Sequence, residues 1–201
     1  SDITGLTNAL TAVSRVVTFH GPMPTSGWGP QDIAGLKASL MSSEPLGLLP
    51  GTSSRVDPER GTIVPGIAEG ELLGGNLCLV SALAGTPQEP DFTGKIVFIE
   101  EIGEAPYRVD RMLTQLMNTR TFKKAAGIAF GSLKPRASDR VDPNESMIAV
   151  LRDRCEAIGI PAATGFPFGH IRDQVTLPLG ARARLDATQQ TLTVLQSGVV
   201  D

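Results

Sequence analysis

Three short, unbroken apolar runs constrain this chain more than any other feature: IVFI at 96–99, AGIAFG at 126–131 and IPAATG at 160–165. Runs of this length without polar alternation are the mark of strands buried on both faces. Helical periodicity fills the gaps between them. Pro106 opens one segment in which Val109, Met112, Leu113, Leu116 and Met117 form an inward stripe, while Arg108, Arg111 and Gln115 share a polar one. A second segment, over 145–158, turns Met147, Ile148, Leu151, Cys155 and Ile158 inward, then stops at Gly159 with Pro161 beyond. Buried strands alternating with amphipathic helices give an α/β class. The last thirty residues alternate apolar and polar instead (Val175, Leu177, Leu179; Ala183, Leu185; Leu192, Val194), which adds small antiparallel strands near the C-terminus.

Upstream, residues 2–14 read as a helix whose apolar face is Ile3, Leu6 and Leu10. Ser1 then sits at its amino end, where backbone N–H groups lack internal partners. VVTFH at 16–20 reads as a strand, broken by GPMP, and 31–42 as a helix. A Gly/Pro/Ser-rich loop follows over 44–62, then short strands around turns over 62–75. Asn76 is placed as the N-cap of an apolar helix running to about Ala84. A polar loop runs from AGIAFG to Asn144, and no internal repeat is present.

At 201 residues the chain is long enough to bury a substantial core. A net charge of −3 with no Lys/Arg cluster argues against a nucleic-acid surface. No apolar run approaches the roughly 18 residues a membrane span needs. Cys78 and Cys155 lie far apart without metal-ligand spacing, and both are expected as buried, reduced thiols, which suits a cytoplasmic protein. The absence of a His/Cys cluster implies no metal, and no cofactor motif is evident.

With only two histidines, His20 and His170, imidazole chemistry has few places to reside. A serine hydroxyl becomes a nucleophile when a base takes its proton and a carboxylate orients that base. Ser1, His170 and Glu100 supply the three types. Composition alone reads Glu100 equally as a solvated loop residue, His170 as structural and Ser1 as a processing scar. His20 reads as structural, because nothing around it marks a base.

TFHGPM at 18–23, GGNL at 74–77, GTP at 85–87, IEEIGEAPYRVDRML at 99–113, GFPFGH at 165–170 and LPLGARARLD at 177–186 occur in that order. This succession resembles the LD-carboxypeptidases, which include murein tetrapeptide carboxypeptidases and microcin-immunity peptidases. The resemblance implies a mixed sheet or barrel-like core with helices outside, and a Ser1–His170–Glu100 triad. It implies hydrolysis of the amide between an L-centre and a terminal D-amino acid of a muropeptide or tetrapeptide, in cytoplasmic peptidoglycan recycling. Glu101 competes for the carboxylate role but should point to the opposite sheet face. The Asp2 N–H is expected as an oxyanion donor, and Asn76, Tyr107 and Arg111 as substrate-binding residues. Asn76 also reads as a cap, Arg111 as one half of a surface ion pair and Tyr107 as a cover for the helix start.

The family's nucleophile lies in a G-x-S-D-x-T turn, and SDIT at 1–4 matches only its second half. Residues 1–30 are therefore expected as the nucleophile-bearing remnant of an amino-terminal domain plus linker, and 31–201 as the carboxy-terminal catalytic domain. The resemblance implies a second chain carrying the missing amino-terminal domain, left by cleavage before Ser1. A fragment, or a serine activated by its own amine, are the alternatives. A homodimer is compatible with the resemblance. Rival functions are a same-family peptidase acting on a peptidyl antibiotic and an inactive peptide-binding remnant.

Overall fold

The computed structural model describes residues 1–49, 60–135 and 146–200; the middle of the 44–62 loop and, from residue 136 on, the polar loop up to Asn144 lie outside the described residues. Four parallel strands form the centre: β4 (Ile67–Asn76), β5 (Ile96–Ile102), β6 (Gly127–Lys134) and β7 (Ala162–Thr164). Beyond β7 lies antiparallel β3 (Gly61–Val64). Beyond β4 come β9 (Arg182–Asp186), β10 (Thr191–Val194) and β2 (Gly47–Leu48), all antiparallel. The sheet is therefore mixed, with eight strands in the order β2-β10-β9-β4-β5-β6-β7-β3. Outside it, β1 (Thr18–His20) pairs antiparallel with β8 (Leu177–Leu179) and sets His20 opposite Leu177. The run expected as short strands over 62–75 instead contains most of the ten-residue β4.

The apolar runs are explained by two cores. Val97 and Ile99 of β5, with Ile128 and Phe130 of β6, pack under α4 (Pro106–Met117) and α5 (Met147–Ile158) against Leu113, Leu116 and Leu151. The alternate residues Ile96 and Phe98 face a second core of Phe168, Leu177, Leu179 and Leu185. With each such buried side chain contributing roughly 1.5–3 kcal/mol, neither face tolerates a polar residue mid-strand. Where β5 emerges from both cores its next two residues are Glu100 and Glu101, one per face. No described helix is long and apolar enough to cross a membrane.

Helix α1 (Ile3–Ser14) forms where expected but buries the other face. Ile3, Leu6 and Leu10 are 59%, 55% and 46% exposed, whereas Thr4 and Asn8 are buried. The reason is a polar clasp on β4. The Asn8 side-chain amide donates to Gly74 O at 2.7 Å and accepts from Gly74 N at 3.2 Å. Thr4 Oγ1 accepts from Asn76 N at 3.2 Å. Gly74 and Gly75 both have left-handed φ (138° and 135°), and a Cβ on Gly74 would lie 2.0 Å from Phe98 O. Gly74→Ala is thus expected to lower the unfolding free energy by at least about 3 kcal/mol in urea titrations, since strain and clash combine. A loss under 1 kcal/mol would show that β4 can shift there.

Candidate active site

Glu100 is fully buried at the end of β5, on the Phe98 face. Its Oε2 accepts a 2.7 Å hydrogen bond from His170 Nδ1. An ionised carboxylate can only accept, so Nδ1 carries the proton and Nε2 is the nitrogen left to act as base. The hydrogen bond to Glu100 raises the His170 pKa, against the lowering effect of burial. For Glu100, burial pushes the carboxyl up, but the bond from His170 and the electrostatic influence of the His20 and His170 rings outweigh it and hold the carboxyl below its usual range.

The TGFPFGH segment explains how His170 gets there. Phe168 is buried edge-on to Phe98 at 5.6 Å, and Phe166 N donates to Phe130 O at 3.1 Å, so the loop is pinned on both sides. Gly169 then passes against the carboxylate with φ 105°; a Cβ there would sit 2.8 Å from Glu100 Cβ. That approach lets the next residue, His170, reach back to Glu100.

A cavity of about 540 Å³ opens over the pair. Ser1, His20, Met23, Lys134, His170 and Arg172 are among its walls. Ser1 and His170 thus share one cavity, with no hydrogen bond between them among the described contacts; nucleophile–base bonds commonly tighten only when substrate is bound. Asp2 immediately precedes the first turn of α1, and Thr4 N donates to Ser1 O at 2.9 Å. Asp32 also lines the cavity, but its two oxygens accept from Gly29 N and Gln174 N.

Other expected site residues fall elsewhere. Glu101 points to the helical side, as its alternation with Glu100 implies: it accepts from Asn76 Nδ2 at 3.0 Å and from Cys78 N at 2.8 Å. Asn76 is 1% exposed and caps α3 (Leu77–Ala82) by accepting from Leu79 N. Its side chain is therefore engaged on both ends by the fold. Tyr107 and Arg111 lie on the outer surface of α4, with the Arg111 guanidinium 4.9 Å over the Tyr107 ring, and neither lines the cavity. Among the described residues no acid pairs with Arg111, and this stacking is the contact it makes. Cys78, expected to be buried, is exposed. Partial desolvation of its sulfur, then Glu101, Glu104 and Asp2, raise its pKa. Cys155 is buried and its thiol is pushed up to about 12 by that burial.

Three residues missed in the sequence line the cavity: His20, Lys134 and Arg172. His20 arrives through the pairing of β1 with β8, a contact across more than 150 residues that no local pattern signals. Among the described residues no cluster of three His, Cys, Asp or Glu could hold a metal ion.

The sequence profile of the LD-carboxypeptidase C-terminal domain matches residues 69–185. The chain belongs to the LD-carboxypeptidase family. Within it, the chain is similar to a probable murein peptide carboxypeptidase of Bacillus subtilis, at 38% identity over 203 residues covering 99% of this chain and 62% of that protein. A muramoyltetrapeptide carboxypeptidase of Oxalobacter formigenes superposes with a TM-score of 0.79 at 32% identity, covering 96% of this chain and 65% of that one. An MccF-like protein of Bacillus anthracis superposes with a TM-score of 0.82 at 28% identity, covering 98% and 66%. The chain thus spans about 62% of the length of the Bacillus subtilis relative.

Proposed function

We propose that this chain carries the nucleophile, base and carboxylate of a serine carboxypeptidase that removes a terminal D-amino acid from murein tetrapeptides. The observation that carries the proposal is the buried Glu100 bonded to His170 Nδ1 beside Ser1 in one cavity. Ser1 Oγ attacks the carbonyl of the L–D amide while His170 Nε2 takes its proton. His170 then returns that proton to the leaving amine, and water repeats the cycle on the acyl-enzyme. Glu100 stays ionised throughout, fixing the tautomer and stabilising the imidazolium. The Asp2 N–H, at the start of α1, is the oxyanion donor this arrangement provides. The similarity to murein peptide and muramoyltetrapeptide carboxypeptidases supports the substrate class. Turnover of released wall peptides is the setting that class implies.

The cavity supports exopeptidase action in a second way. Lys134 and Arg172 are its cationic side chains, and the Asp32 carboxylate is already occupied by backbone N–H groups. A free terminal carboxylate is the group such a wall attracts, and an arginine can bind it bidentately. The test is release of D-alanine from a tetrapeptide with a free terminus, its carboxamide and its all-L isomer. Release from the first alone is expected. Arg172→Ala should raise KM for the free acid about tenfold with kcat little changed, as loss of one charge-assisted bond predicts. Equal cleavage of acid and carboxamide would refute the exopeptidase assignment.

A further inference from the structure

Glu100 has a second oxygen, Oε1, that is buried and without a hydrogen-bond partner. A buried acceptor left open is costly, and such an atom at a working site calls for an explanation. His20 reaches the same face of β5. Its ring packs edge-on to Phe98 at 5.4 Å, and Phe98 precedes Glu100 by two residues, on the same face of β5. It also lines the cavity that holds Ser1 and His170. The titratable groups that bear on His20 are Glu100 and His170, and those that bear on Glu100 are His20 and His170; the Asn76 amide is engaged by Glu101, at 3.0 Å.

We propose that His20 is a positioning residue: a second imidazole that addresses Glu100 from the side His170 does not occupy and keeps the carboxylate directed at Nδ1. The proposal rests on the triad described above. Burial pushes the His20 pKa down, against the pull of Glu100, so the ring is neutral at working pH and acts through an N–H dipole. That dipole favours the ionised carboxylate in the resting state, when His170 is itself neutral. The motif TFHGPM acquires a role by this route, because the β1–β8 pairing sets its histidine opposite Leu177 and against Phe98, on the Glu100 face of β5.

The sign of the effect follows from the charges. Without the His20 N–H, Glu100 becomes more basic and holds the His170 proton more tightly. The coupled pair then takes up its proton at higher pH. His20→Phe, which keeps a ring against Phe98, should move the acid limb of the kcat/KM profile upward by about one unit. It should lower kcat about tenfold while leaving KM within about twofold. His20→Gln, which keeps an N–H donor, should recover most of both. A packing role alone would leave the acid limb of the Phe variant in place, and that result overturns the proposal.

NMR titration of the His170 ring makes the test independent of turnover. The same upward shift is expected in His20→Phe even if the wild-type protein hydrolyses no peptide, an outcome that would sink the proposed function alone. In the unaltered protein a His20 ring N–H protected from exchange is expected. A freely exchanging one overturns the inference without recourse to any variant.

Discussion

His170→Ala should lower kcat by about 10⁶, with Ser1→Ala equally damaging and the double variant no worse than either single one. The non-additivity follows from how the proposed groups work. A serine hydroxyl without a base is a poor nucleophile, and an imidazole without a nucleophile has no proton to take. Neither retains value once the other is gone. The stability cost should be small for both. Ser1 is exposed, and the His170 side chain retains a third of its surface in water. A thermal melt within a few degrees of wild type, alongside lost release of D-alanine, separates chemistry from folding. If the two losses add instead, the residues do not share one proton-transfer step.

Glu100→Gln should reduce kcat by about 10⁴, the scale expected when a triad carboxylate becomes an amide that can stabilise the wrong imidazole tautomer. A pH signature accompanies it. The wild-type His170 pKa is raised chiefly by its hydrogen bond to Glu100, so the neutral base accumulates only above the ordinary value of about 6.5. The acid limb of wild-type activity should therefore lie above that pH. In the amide variant both effects of the Glu100 charge are lost and burial outweighs the weaker pull of Glu101, so the residual activity should show its limb below it. Stability at neutral pH should fall, because the fold holds the Glu100 carboxyl below its usual range and so gains from its ionised, His170-bonded form.

Much of the fold was legible because the central strands are buried on both faces. Val97 and Ile99 need one core and Phe98 the other, so IVFI had to be unbroken. Asn76 was legible as a cap, and the opposition of Glu100 to Glu101 followed from strand alternation. The buried face of α1 was not. Periodicity picks out the side with hydrocarbon, whereas α1 attaches through Thr4 and Asn8, short polar side chains that read as surface residues until Gly74 and Gly75 lie beneath them. His20 was missed for a related reason: its surroundings come from β8 and β5, both remote in sequence. Lys134 and Arg172 carry no local mark at all. One ends a strand and the other follows a glycine loop, and only the fold brings them to the same opening.

The clasp under α1 has a thermal consequence for the nucleophile it carries. Hydrocarbon burial fades on cooling because its driving force near room temperature is largely entropic. The contacts that fasten α1 to β4 are mainly amide and hydroxyl bonds to backbone, while its hydrocarbon stripe faces water. Chilling therefore softens the two cores beneath the site more than it loosens this mooring. The attachment of the Ser1-bearing helix is therefore expected to weaken less in the cold than the hydrocarbon packing under it.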